Sequence, residues 1–138
     1  MPGQVYAVAF PVGSPSAVIT GTFEPSETYP YLDFSLGNQT TTELDDGVPF
    51  YALVRGATKD YCLEVLAPEC PDGDAPSIRW GAQDLHPLLM MRLIAYDYET
   101  VDYRRARTPR GTKRVLGDKY PEIAFASDCS ARCPPAAQ

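Results

Sequence analysis

The chain has 138 residues, of which 44% are hydrophobic, 22% are charged and 14 are proline. This length and composition fit one folded domain and exclude a wholly disordered chain, while the prolines disfavour long helices. The formal net charge of −6 argues against general nucleic-acid binding, and no run of 18 apolar residues predicts a membrane-spanning helix.

Most predicted elements are short strands separated by turns rich in Pro, Gly and Asp. Strands are predicted over 4–10, 17–23, 29–36, 48–54, 61–66 and 77–80, followed by a last hairpin over 113–116 and 120–125. The strands at 48–54 and 61–66 are expected to form a hairpin with each other. In the third strand, alternation places Tyr31, Asp33 and Ser35 on one face, opposite Leu32, Phe34 and Leu36.

One helix is predicted, over residues 84–96. Asp84 can cap it, Pro87 is tolerated in its first turn, and apolar residues recur at helical spacing. A buried strand through residues 90–98 is the alternative, because a short apolar run fits either structure.

The fold class predicted from these elements is mainly β, a single-domain antiparallel β-sandwich or barrel with this one short helix. Residues 1–126 are expected to form the β-rich domain, with Trp80 as a core residue. Residues 127–138, which contain two Cys and two Pro, are expected to be a partly disordered tail.

Positive charge is concentrated in one short segment. Half of the 12 Lys and Arg residues lie between positions 104 and 114, whereas residues 1–54 contain none. This basic cluster consists of Arg104, Arg105, Arg107, Arg110, Lys113 and Arg114. Pro109 and Gly111 predict an exposed connector, and guanidinium groups suit carboxylate or phosphate, so the cluster is a candidate surface for a partner or an anion. Neutralisation by nearby acids in the same chain is the alternative.

Acidic residues near the front of the chain provide a complementary surface. Glu43, Asp45 and Asp46 of one copy can face the basic cluster of another, which predicts association that weakens as salt rises. Self-association or another protein subunit is therefore the expected partner, and nucleic acid is expected only at the basic cluster.

Tyrosines form a second candidate interface. Tyr29, Tyr31, Tyr96 and Tyr98 have rings that bury area while the hydroxyl keeps a hydrogen bond, as is typical of subunit contacts and of sugar-binding surfaces. Packing on a sheet surface is the alternative interpretation.

The four cysteines fall into two close pairs, Cys62 with Cys70 and Cys129 with Cys133. Two local disulfides, a four-thiolate zinc site and four unconnected thiols are all compatible with this spacing. The absence of a C-x2-C motif weakens the zinc interpretation, and four cysteines allow three complete pairings.

No residue is predicted to be catalytic, and no cofactor or metal ion is expected. The chain lacks a G-x-S-x-G, Walker or G-x-G-x-x-G motif, and its single histidine, His86, has no identified catalytic partner. The leading hypothesis is a non-enzymatic subunit of an oligomeric particle of coat, tail or decoration type. The alternative is a binding module for an anionic ligand or carbohydrate, and a small hydrolase or isomerase around His86 is a third. The N-terminal residues predict no signal peptide, so a soluble or particle-associated protein is expected, with its compartment unassigned.

Overall fold

The computed structural model describes residues 3–9, 11, 13, 15–38, 47–53, 59–81, 87–95 and 109–134. Its strands are β1 Gly3–Ala9, β2 Ser16–Thr22, β3 Tyr31–Asn38, β4 Val48–Pro49, β5 Asp60–Leu66, β6 Ser77–Arg79, β7 Pro87–Ala95 and β8 Glu122–Ala126. The described helices are α1 Phe50–Leu53 and α2 Pro109–Leu116, and a 3-10 turn covers Gly117–Lys119. None of these helices is long and apolar enough to cross a bilayer.

The strands form two four-stranded sheets that share one core. Sheet A has the order β1-β7-β3-β4 and sheet B the order β6-β5-β2-β8. Neighbouring strands are antiparallel except β5 and β6, which are parallel. The predicted mainly β, single-domain fold is confirmed, and the division into two packed sheets selects the sandwich.

The core follows from the alternation of side chains along the strands. In β3, Leu32, Phe34 and Leu36 are buried against sheet B, as predicted. Leu63 and Val65 of β5 face them from the other sheet and are fully buried. Trp80 is buried as predicted, and its indole Nε1 donates a hydrogen bond of 2.9 Å to the carbonyl oxygen of Pro15. Buried apolar area of this kind is the main stabilising term in folding.

The predicted helix over residues 84–96 is wrong, because residues 87–95 form strand β7 between β1 and β3. Leu89, Met91 and Leu93 point into the core, while Leu88 and Met90 are half-buried on the other face. A strand with apolar residues on both faces loses the alternation that distinguishes it from a helix. Residues 84–86 and 96 lie outside the described residues.

Two other predicted elements differ from the structure. The expected hairpin over 48–54 and 61–66 is absent, because β4 and β5 belong to different sheets and Phe50–Leu53 forms α1. Residues 113–116, predicted to be a strand, lie in helix α2. The strand predicted over 120–125 is confirmed by β8, but β8 pairs with β2 and not with residues 113–116.

Both disulfides join the C-terminal segment to the β5 region. Cys62 is bonded to Cys133, and Cys70 to Cys129. The prediction that the four cysteines form disulfides is confirmed, but the local pairing is wrong. The zinc and free-thiol interpretations are wrong as well, because every cysteine sulfur is bonded to another sulfur. The bonds close long loops, with sequence separations of 71 and 59 residues.

Glu64 holds the same segment on the outer face of sheet B. Its buried carboxylate accepts a hydrogen bond of 3.0 Å from Arg132 Nη1 and one of 2.8 Å from the backbone N–H of Cys133. Arg132 also donates to the carbonyl oxygens of Cys129 and Pro71, at 3.1 and 2.7 Å. These hydrogen bonds replace the ones that the carboxylate would form with water if it were exposed.

Candidate interaction surface

The two sheets end differently at the two sides of the sandwich. At one side the edge strands are β4, with two residues including Pro49, and β6, with three residues including Arg79. At the other side they are β1, with seven residues, and β8, with five. Short length, proline and charge protect sheet edges against pairing with other chains, and only the first side has all of them.

Strands β1 and β8 have almost no charge. β1 contains no charged residue or proline, and β8 contains only Glu122, at its first position. Among the described strands, β1 pairs only with β7, and β8 only with β2. Among the described residues, neither strand has another strand beside its outer edge, and helix α2 contacts β1.

The core-facing side of β8 is partly uncovered. Ile123 and Phe125 lie directly opposite Ile19 and Ala17 of β2, so all four side chains share one face of sheet B. Ile19 and Ala17 are buried, whereas Ile123 is 37% exposed and Phe125 is 46% exposed. Sheet A thus covers the inner face of β2 but leaves much of the inner face of β8 open.

An apolar cleft of about 70 Å³ lies between β1 and β8. Ala7 and Ala9 line it from one side and Ile123 from the other, while the core residues Phe34 and Met91 form part of its lining. Val8, which is 44% exposed, lies at this side as well. Ligand pockets are typically about 300–1,000 Å³, so the cleft has room for a small aliphatic side chain but not for an ordinary metabolite.

Part of the basic cluster lies on helix α2, which contacts β1. Arg110, Lys113 and Arg114 are exposed and follow helical spacing, so they share one face. The expectation of a connector is wrong for these three residues, because they belong to a helix whose Leu116 is buried in the core. Arg104, Arg105 and Arg107 lie outside the described residues.

The α2 cations have no carboxylate partner among the described residues. The Lys113 ammonium lies 6.0 Å from the centre of the Tyr120 ring. Four other described cations, Arg79, Arg92, Lys119 and Arg132, form ion pairs with Asp or Glu of the same chain, whereas the α2 face has cations that suit an external anion.

The remaining predicted interface residues are only partly described. Glu43, Asp45, Asp46, Tyr96 and Tyr98 lie outside the described residues, as does His86. Tyr29 and Tyr31 are both half-buried and lie beside cations: Lys119 Nζ is 5.1 Å from the Tyr29 ring centre, and the Arg92 guanidinium carbon is 5.7 Å from that of Tyr31.

A charged pair occupies the outer face of sheet A. Asp33 of β3 and Arg92 of β7 are directly opposite each other, and Arg92 Nη2 donates a hydrogen bond of 2.6 Å to Asp33 Oδ2. This bond raises the pKa of Arg92, while burial, followed by the Asp33 carboxylate, raises the pKa of Tyr31. The buried Asp33 carboxylate is therefore paired with a cation on the same face of the sheet.

A second cavity, of about 220 Å³, has mixed charge. Glu24 and Asp118 line it together with Lys59 and Lys119, so the opposite charges balance and favour neither anion nor cation. In the part of the chain that the structure describes, no three His, Cys, Asp or Glu side chains lie close enough to hold a metal ion.

Sequence reasoning missed the β1/β8 side, although a signal was present. Residues 3–9 and 123–126 contain no charged residue and no proline, which is unusual for strands at a sheet edge. The strand order that makes them edges could not be derived from the sequence.

Comparison with known proteins identifies no matching protein family, no similar characterised protein and no solved structure of matching fold.

Proposed function

We propose that this protein is a non-enzymatic structural subunit that associates with other subunits through the β1/β8 side of its sandwich. The observation that carries the proposal is the partial exposure of Ile123 and Phe125 on the core-facing side of an edge strand. Exposed apolar groups beside unprotected edges are typical of surfaces that another protein covers.

The chemistry of the described residues supports binding over catalysis. The two buried carboxylates, Asp33 and Glu64, are each hydrogen-bonded to an arginine. The cleft beside β1 is too small for an ordinary substrate. The two disulfides suit a protein that works outside a reducing cytosol, for example in a secreted assembly or on a particle surface. The particle setting itself stays a prediction.

Sedimentation velocity over a concentration series tests the proposal. We expect the mass to rise above the 15.1 kDa of one chain, and Ile123→Lys to weaken association by about tenfold or more, because an ammonium group would be buried at the contact. Tyr51→Lys is the matched control, since it also replaces an exposed apolar residue by lysine, on helix α1.

A protein that remains monomeric at the highest concentration would contradict self-association, and equal effects of the two lysine substitutions would place the contact elsewhere. A salt series separates the driving forces. Association between the acidic residues and the basic cluster weakens as salt screens the charges, whereas an apolar contact keeps or gains strength.

The exposed face of α2 favours a second candidate, a binding module for an anionic ligand. Arg110, Lys113 and Arg114 lie together and have no carboxylate partner among the described residues. We expect Arg110→Ala with Arg114→Ala to reduce retention on a sulfated polysaccharide column, and Lys59→Ala with Lys119→Ala, which removes the same charge elsewhere, to change it less. Equal retention of both variants would reject this candidate.

A further inference from the structure

We propose that the partner on the β1/β8 side is a second copy of this chain, joined by antiparallel pairing of β8 with β8 about a twofold axis at Ala124. Sheet B would then continue across the contact as eight strands. This inference rests on the proposed function and specifies the partner and the register of the same surface.

The residues of β8 are self-complementary in that register. With Ala124 on the axis, Ile123 of one copy is opposite Phe125 of the other, and Glu122 is opposite Ala126. Aromatic and β-branched residues form favourable cross-strand pairs, whereas directly opposed like charges are destabilising. This register gives two Ile–Phe pairs and keeps the two Glu122 carboxylates apart.

The faces of β8 are also arranged for this pairing. Ile123 and Phe125 lie on the core-facing side of sheet B, so four apolar side chains would meet beside the two clefts. Ala124 lies on the opposite face, is exposed, and is small enough to let two strands approach at the axis. The contact would bury the apolar surface that sheet A leaves uncovered on each copy.

The size of the β1/β8 side predicts a contact at the small end of protein interfaces, and so a weak dimer. Strand β1 is about 24 Å long at about 3.4 Å per residue, and two sheets about 10 Å apart with their outer side chains are about 20 Å deep. The β1/β8 side therefore has an outline of roughly 500 Å². A standard interface buries about 800 Å² per partner.

The cleft itself argues against an inserted foreign strand. A strand placed between the two sheets would bring a row of several side chains, but the cleft of about 70 Å³ has room for about one small aliphatic group. The second chain therefore approaches as an edge, alongside β8. A contact that uses the same patch on both copies closes as a dimer and does not extend into a filament.

A charge exchange across the axis tests the register. Ile123→Lys and Phe125→Glu should each raise the dimer dissociation constant by about tenfold or more, because each opposes a charge to an apolar residue. The double variant should recover most of the affinity, since each lysine then faces a glutamate of the second copy. Sedimentation equilibrium gives the constants, and Tyr51→Lys again serves as the control.

Circular dichroism and urea unfolding show whether the variants are folded, and Ala124→Lys provides an independent test. This residue is exposed, and the substitution places two ammonium groups opposite each other on the axis, so it should also weaken the dimer by about tenfold or more.

Three outcomes are distinguishable. A closed dimer that the double variant restores supports the inference. Assemblies that keep growing with concentration, or a dimer that Ile123→Lys weakens but the double variant does not restore, overturn β8 self-pairing and leave the proposed function intact. A strict monomer overturns both.

Discussion

The outer face of sheet B and the β1/β8 side differ in how completely their groups are bonded. On the first, residues 129–133 are attached by two disulfides, and the buried carboxylate of Glu64 has two hydrogen-bond donors. Ser16 of β2 adds hydrogen bonds from its hydroxyl to the carbonyl oxygens of Asp128 and Ala126. On the second, two edge strands have no further strand partner among the described residues, and Ile123 and Phe125 are partly exposed.

This contrast separates what holds the subunit together from what it offers to others. The two disulfides stabilise the first region without a second chain, and removing either partner of its Glu64–Arg132 pair would leave a charge unpaired. The exposed apolar residues of an edge strand contribute to stability only when another chain covers them and removes them from water. We therefore expect substitutions at the first region to change unfolding, and substitutions at the second to change association.

The disulfides should give the largest effect on stability. Replacing all four cysteines with Ala should lower the free energy of unfolding by about 4 kcal/mol or more, since the two bonds close loops with sequence separations of 71 and 59 residues in the unfolded chain. Urea unfolding of the monomer measures this. A loss below about 1 kcal/mol would show that the C-terminal segment is held by its other contacts alone.

Removing Arg132 should give the next largest effect. Arg132→Ala leaves the Glu64 carboxylate buried without its guanidinium partner, which should cost about 3 kcal/mol in urea unfolding. The double variant Glu64→Gln with Arg132→Met should recover much of this loss, because no unpaired charge remains. Asp72→Ala is the control, since Asp72 pairs with Arg79 at 2.5 Å but is exposed, and it should have little effect.

Substitution of Tyr61 should have a smaller effect on the free energy of unfolding, and this effect should depend on pH. Its hydroxyl is buried without a hydrogen-bond partner among the described residues, and burial raises the pKa of Tyr61 above its ordinary value of 10.0. The neutral phenol is therefore favoured in the folded state, so its contribution to stability is complete below pH 10 and is lost as the pH rises towards the folded-state pKa.

Tyr61→Phe removes the unpaired hydroxyl and the titration together. It should raise the free energy of unfolding by about 1 kcal/mol at neutral pH and reduce the loss of stability above pH 10. Tyr51→Phe, on a ring that is 72% exposed, should change neither property. Equal alkaline unfolding of the Tyr61 variant and the unsubstituted protein would contradict this account.

The sequence predicted much of the fold because alternation marks strands that have one polar face. Strand β3 has Asp33 and Ser35 between Leu32, Phe34 and Leu36, and both faces were assigned correctly. Strand β7 was missed because Leu88 and Met90 on its outer face hide the alternation. Pairing of Cys62 with Cys133, and of Cys70 with Cys129, could not be derived because local spacing says nothing about which strands are neighbours.

The candidate surface was harder to predict than the fold. Charge clusters are visible in a sequence, and three of the six predicted cations are indeed exposed on one face of α2. A strand is an edge strand when another strand pairs with only one of its two sides. Which strands these are depends on the order of all strands in both sheets. The sequence shows that β1 and β8 are nearly uncharged, but only the strand order shows that both are edge strands.

Amide hydrogen exchange of strand β8 over a concentration series tests the central claim most directly. We predict that exchange slows, as concentration rises through the dimer dissociation constant, for the alternate β8 amides that point away from β2, while exchange in β6 at the opposite side stays the same. Unchanged exchange in β8 at concentrations where the protein is dimeric would contradict the account, because another surface would then form the contact.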